Sequence, residues 1–238
     1  MKSTILAIVG IAALSAAAQA QLIDDFSGDL SAYTDTRILN ADSHSPVNSY
    51  SWEISGGALQ LNTTSYVGIE QYALTRTDYS LNVGFELDAT FTAGYTGSQD
   101  IGLYVGAGTP TVDVRQDYVD VYMRNNGQLF SRGFDGTSEL ALAGGSSPTV
   151  DSLFIARTAA DTFELGYYEA GTRNVVTTRT ITSGAPIGDS IGFYADVRSA
   201  GIVGSMDNLT IQAIPEPATF ALLGLGGLLG IFGLRGRK

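Results

Sequence analysis

Three groups of side chains in this chain of 238 residues have types and spacings that can do chemistry. The first is Glu86-Leu87-Asp88, two carboxylates at alternate positions. Alternate residues of a strand share a face, and glycoside hydrolysis needs two carboxyl groups on the order of 5–9 Å apart. The second is the row Tyr118, Asp120, Tyr122 and Arg124, with Tyr104 and the similar row Tyr194, Asp196, Arg198 able to join it on one sheet. Aromatic rings cover the apolar faces of sugars while carboxylates and guanidinium groups take their hydroxyls, so this set is the candidate glycan-binding surface. The same ladder also fits an ordinary solvent-facing sheet, because Tyr is a good strand former. Asp24, Asp25, Asp207 and Asn208 form a third set, oxygen donors that would meet around a structural calcium ion if the first and last strands pair. Asp113, Asp117 and Asp120 stand four and three residues apart, a spacing that a strand cannot bring together.

Much other chemistry is excluded. The chain has no Cys, which removes disulfides, thiolate nucleophiles and thiolate-bound metals. Its one histidine, His44, lies in Asp42-Ser43-His44-Ser45-Pro46, a loop composition. A multi-histidine metal site is therefore ruled out, and any Ser-His-Asp triad would have to use that loop. No catalytic residue is assigned, and the domain is read as non-enzymatic.

The elements that must position these residues are strands. Phe85, Leu87, Ala89 and Phe91 alternate with Glu86, Asp88 and Thr90; Val119, Val121 and Met123 alternate with the Tyr118 row. Asn125-Asn126-Gly127 closes a hairpin onto 128–133, since Asn-Gly readily takes positive φ. Similar runs at 51–54, 58–62, 101–105, 153–157, 163–169, 175–181, 191–198 and 206–211, with polar Gly-rich turns between them, predict an all-β, two-sheet antiparallel sandwich.

The two ends differ from this middle. Met1-Lys2 opens an apolar run, Ile5 to Leu14, that ends in the small-residue site Ala18-Gln19-Ala20. That is a cleavable secretory signal over 1–20, a helix removed to leave Gln21 first, with the Sec machinery and signal peptidase as partners. At the other end, 17 residues from Ala218 to Leu234 carry no charge and are followed by Arg235, Arg237 and Lys238. Such a stretch can cross a membrane as a helix, with the basic end held in the cytoplasm. Between the ends, 21–214 holds 23 Asp and Glu against 9 Arg, a net charge near −14. That field repels phosphate backbones, so no nucleic-acid partner is expected.

The order Pro215-Glu216-Pro217, short Gly/Leu helix and basic cluster resembles the sorting signal of PEP-CTERM proteins. The resemblance implies recognition by an exosortase-type transpeptidase, transient anchoring in the inner membrane of a Gram-negative bacterium, and release to the cell surface or an exopolysaccharide matrix. The middle, 21–213, resembles the concanavalin A-like lectin/glucanase jelly rolls, laminin-G-like modules included. It does so through Asp24-Asp25-Phe26-Ser27, the pair Trp52–Ile54 and Gly57–Leu61, the hairpin Tyr118–Gly133, the pair 153–157 and 163–168, and the closing Ser205–Ile211. This implies a structural or adhesive protein that binds exopolysaccharide, its cofactor at most a structural calcium. The alternative is a divergent laminarinase-like hydrolase. Those enzymes carry three acids in an E-x-D-x-E or E-x-D-x-x-E order, and the third is missing after Glu86-Leu87-Asp88.

Overall fold

The computed structural model describes residues 20–39, 48–96, 99–109, 118–133, 140–181 and 188–214. The expected signal and membrane helices, His44, Asp113 and Asp117 lie outside them. The described residues form fifteen strands and no helix. In chain order these are β1 (Gln21–Asp24), β2 (Thr34–Leu39), β3 (Ser49–Ser55), β4 (Ala58–Ser65), β5 (Glu70–Arg76), β6 (Phe85–Ala93), β7 (Gln99–Gly106) and β8 (Tyr118–Arg124). Then follow β9 (Leu129–Gly133), β10 (Ala143–Gly144), β11 (Ser152–Ala159), β12 (Thr162–Glu169), β13 (Thr172–Thr180), β14 (Ser190–Val197) and β15 (Gly204–Ala213).

They build two antiparallel sheets. One runs β13-β12-β11-β6-β15-β4-β3, with β1 added along β15; the other runs β10-β9-β8-β7-β14-β5-β2. Neighbours far apart in sequence lie side by side, and the two sheets stack into a jelly-roll sandwich. The alternation seen in the sequence explains how they stack. Leu87, Ala89 and Phe91 of β6 and Leu153 and Ile155 of β11 face Ile101, Leu103 and Val105 of β7 and Val119 and Val121 of β8 in one shared core. Burial of that apolar surface is the main stabilising term. The Asn125-Asn126-Gly127 turn forms as expected: Gly127 sits at φ +78° and the Arg124 N–H donates to the Gln128 carbonyl at 2.8 Å.

The ends of the sandwich differ in what they hold. At one pole, Gln21 pairs with Ile211 and Ala213 with Phe85, and the Ile214 N–H donates to the Gly84 carbonyl at 3.0 Å. Both chain termini of the domain therefore leave from this pole. The Leu81 N–H bonds to the Gly188 carbonyl, and the Gly188 N–H to that of Gly106, which carries the same pole across to the second sheet. At the opposite pole, the Thr96 N–H meets the Ile202 carbonyl at 2.8 Å, the Gln99 side chain reaches the Gly201 carbonyl, and the Asn125 N–H donates to the Gln99 carbonyl at 3.1 Å.

Candidate functional site at the end of the tyrosine-lined sheet

The face of the second sheet turned away from the core carries the Tyr, Asp and Arg residues read from the sequence, and strand register sets them in rows. Asp100 of β7 stands between Arg124 of β8 and Asp196 of β14, which is registered in turn on Gln71 of β5. One step along, Gly102 separates Tyr122 from Tyr194, and Tyr194 meets Ala73. One step further, Tyr104 lies between Asp120 and Gly192. Large and small residues thus alternate across the strands. A Cβ on Gly102 would run into the Val121 carbonyl and sit 2.7 Å from the Tyr122 Cβ; one on Gly192 would lie 2.9 Å from the Tyr104 ring. The glycines give the rings room to lie across the sheet. Tyr122 and Tyr194 meet edge to face at 5.9 Å, Tyr104 and Tyr118 at 5.7 Å, and Tyr122 stacks on Phe130 at 6.1 Å.

The structure thus brings Tyr104, Tyr118, Asp120, Tyr122, Arg124 and Tyr194 onto one face, but it does not open their rings to solvent. The four tyrosines are 0–2 % exposed and form, with Ala73 and Phe130, a second buried cluster. Tyr104 bonds through its hydroxyl to Thr75, and an Asp120 carboxylate oxygen accepts the Arg132 backbone N–H at 2.7 Å. These rings form a floor. What they support is reached at the pole away from the chain termini.

There Asp100, Arg124, Asn125, Asn126 and Arg198 line a cavity of about 210 Å³. Arg124 donates to Asp100 at 3.3 Å and lies 4.1 Å above the Phe130 ring. Arg198 holds Asp196 by two bonds of 3.2 Å each. Burial and the neighbouring Asp196 carboxylate push Asp100 up to about 7, against the pull of Arg124. The Gln71 side chain, in the same row and 1 % exposed, finds no partner for its amide among the described residues. Tyr95 adds an open ring: it is 40 % exposed, and its hydroxyl lies 3.7 Å from where a Cβ on Gly127 would sit. Two carboxylates, two guanidiniums, two amides and an open ring can bind a polyhydroxylated chain and orient its hydroxyls. The sequence reading missed Tyr95, Asn125 and Asn126 as a group, because they come from a loop end and a turn that meet through β7 and β8.

The raised Asp100 has a testable consequence. A carboxyl whose folded-state pKa lies above its unfolded value holds a proton in the native state that the unfolded chain has already lost. Stability from this group is therefore greatest below about pH 4, and it declines as pH rises through about 7. Asp88, raised to about 6 by burial and by Glu86, acts in the same direction. Melting temperature is expected to fall by a few degrees between pH 5 and 8, and Asp100→Asn is expected to flatten that slope.

The first sheet holds the carboxylate pair. Glu86 and Asp88 do share a face, but Glu86 is fully buried and accepts bonds from Tyr168 (2.6 Å), Arg173 (3.0 Å) and Gln212 (3.0 Å). Asp88 accepts one from Ser152 at 2.7 Å. Arg173 turns its other side to Glu164 at 2.8 Å. Glu86 is thus committed to protein donors.

The calcium set is brought close in part. β1 does pair with β15, placing Asp24 against Leu209. Yet Asp24 accepts the Phe26 N–H at 2.8 Å, Asp25 takes the N–H and hydroxyl of Ser27 at 3.0 and 2.7 Å, and Asp207 takes the Asn208 N–H at 2.7 Å. Among the described residues no three acidic or histidine side chains group as a metal would need. These donors cap local turns. Of the targeting residues, Ala20 is exposed and Gln21 opens β1; Ala18, Pro215, Glu216, Pro217, Arg235, Arg237 and Lys238 lie outside the described residues.

Residues 213–238 match the PEP-CTERM protein-sorting motif. No curated protein matches the chain. Among solved structures, the VIP36 exoplasmic/lumenal domain in its Ca2+-bound form is similar at 11 % identity and a TM-score of 0.50, over 82 % of this chain and 90 % of that one. Its Ca2+/Man2-bound form is similar at the same identity and score, over 82 % and 88 %. The GlcNAcα1-4Gal releasing endo-β-galactosidase from Clostridium perfringens is similar at 11 % identity and a TM-score of 0.51, over 84 % of this chain and 63 % of that one. At such identities the likeness shows the fold, a lectin-type jelly roll.

Proposed function

We propose that this chain, which carries the PEP-CTERM sorting motif of an exported protein behind a lectin-type jelly roll, is a non-enzymatic glycan-binding protein of the cell surface or exopolysaccharide matrix. Secretion through the Sec machinery removes residues 1–20 between Ala20 and Gln21. The tail then holds the domain outside the inner membrane, with Arg235, Arg237 and Lys238 in the cytoplasm, until an exosortase-type enzyme acts near Pro215–Pro217. The observation that carries the binding role is the cavity at Asp100, Arg124, Asn125, Asn126 and Arg198, with Tyr95 open beside it. One of the similar solved structures is a VIP36 domain in a Ca2+/Man2-bound form, which supports a glycan as the ligand class. The fold is also that of an endo-β-galactosidase, but here Glu86 is held by three donors, which supports binding over hydrolysis.

The test is retention of the full chain, in detergent, on the exopolysaccharide of its own host and on a panel of neutral and acidic polysaccharides. Arg124→Ala and Arg198→Ala are each expected to weaken binding tenfold or more. Hydrogen bonds from a charged donor contribute about 1.5–3 kcal/mol, and a factor of ten is about 1.4 kcal/mol. Retention on none of the polysaccharides would end the glycan reading; release of oligosaccharides during incubation would replace it with a hydrolase.

A further inference from the structure

The cavity and the two membrane-directed ends of the chain lie at opposite poles of the sandwich. We propose that the end of β15, with the start of β1 beside it, is a stem that stands the tail-anchored domain on the membrane with the Asp100/Arg124/Arg198 cavity facing away from it, toward extracellular polysaccharide. Gln21, the first residue left by signal cleavage, pairs with Ile211, and the sorting tail begins at the end of β15. The two strands are antiparallel neighbours, so β1 begins where β15 ends. Their exit is held to the rest of the fold by the Ile214–Gly84 bond and the Ala213–Phe85 pairing.

The surface beside the exit can rest on a bilayer. Large apolar side chains stand open beside the exit: Leu22 in β1 is 53 % exposed, and Val83, next to Gly84, is 50 % exposed. Apolar groups there would rest against a bilayer surface. The cavity pole presents the charged and amide groups of Asp100, Arg124, Asn125, Asn126 and Arg198, with Tyr66, Val67 and Tyr95 also open at that end. The distance between the poles follows from strand length. β7 runs eight residues from the cavity pole toward the exit pole, and at about 3.3 Å per residue that places the cavity roughly 25 Å further from the membrane than the exit.

The test uses the secreted chain with its sorting tail uncleaved and with single cysteines, since the sequence has none of its own. Val83→Cys marks the exit pole and Asn126→Cys the cavity pole; both positions are exposed. Each is labelled with a donor fluorophore and reconstituted into vesicles whose lipid headgroups carry an acceptor. Unchanged melting curves confirm that the labelled proteins are folded. Energy transfer is expected to be several-fold stronger from position 83 than from 126. Equal transfer, or stronger transfer from 126, would overturn the orientation. No glycan enters the measurement, so its outcome and the fate of the glycan-binding reading are independent.

Discussion

Replacing Glu86 by alanine is expected to lower the stability of the domain by about 3–5 kcal/mol. The carboxylate is fully buried on the outward face of the first sheet, and three donors from three different strands converge on it: Tyr168 of β12, Arg173 of β13 and Gln212 of β15. Removing it strands the Tyr168 hydroxyl, the Gln212 amide and one side of a guanidinium that lies 4.1 Å from the Phe154 ring. These donors are only partly buried, but each loses a charged acceptor, and donors left unpaired are the costly outcome. Arg173 keeps Glu164, which caps the loss. For a domain of this size the change corresponds to a melting temperature lower by roughly 6–20 °C. Glu86→Gln keeps the volume but presents an amide NH2 to groups that are themselves donors, so it should recover only part of the loss. A Glu86→Ala protein melting within a degree of the parent would show that the network carries little of the stability.

The second large effect is expected at Phe26. This residue sits at φ +49° in the turn after β1 and is 1 % exposed. Its ring meets Phe193 of β14 edge to face at 5.6 Å and stacks on Tyr33 at 6.3 Å, closing one end of the core. Arg76 lies over the outer side of Tyr33 at 5.1 Å. Truncation to alanine removes a ring packed on Phe193 and Tyr33 and leaves a cavity, at a cost of about 3–5 kcal/mol. The measurement is chemical denaturation of Phe26→Ala beside the parent: the midpoint should fall while the slope stays constant. A midpoint unchanged within error would show that the turn is not part of the cooperative unit.

Phe26 also shows where the sequence is easy to misread. Asp24 and Asp25 read as oxygen donors to an ion shared with Asp207 and Asn208, and their carboxylates accept the N–H groups of the turn that delivers Phe26 to the core. Nothing in residue type separates a capping Asp from a ligating one; only the partners do. The strands that stand alternately in oil and water, such as β6 and β8, were legible, as was the Asn-Gly hairpin between β8 and β9. β5 was not, because Glu70–Arg76 is buried along its whole length and shows no period of two. β2 and β10 were missed as well, being short or mixed in composition. The tyrosine face was legible as a face, and its burial was not. That depends on Gly102 falling between Tyr122 and Tyr194 and on Gly192 falling beside Tyr104, a relation of register rather than of neighbouring residues. The cavity was legible only in Arg124 and in the Tyr194-Asp196-Arg198 row, since Asn125 and Asn126 come from the turn after β8 and Tyr95 from beyond the end of β6 in the other sheet.

The antiparallel pairing of β15 with β6 and β1 also has a mechanical meaning. If the tail is held at one pole and a polymer pulls at the other, tension runs along the strand axes. Hydrogen bonds between strands pulled lengthwise are loaded in shear and must give way together, whereas bonds pulled from one edge open one after another like a zipper. A domain strung this way resists flow through its strand direction, and it would yield far sooner if the same force were applied across the sheet.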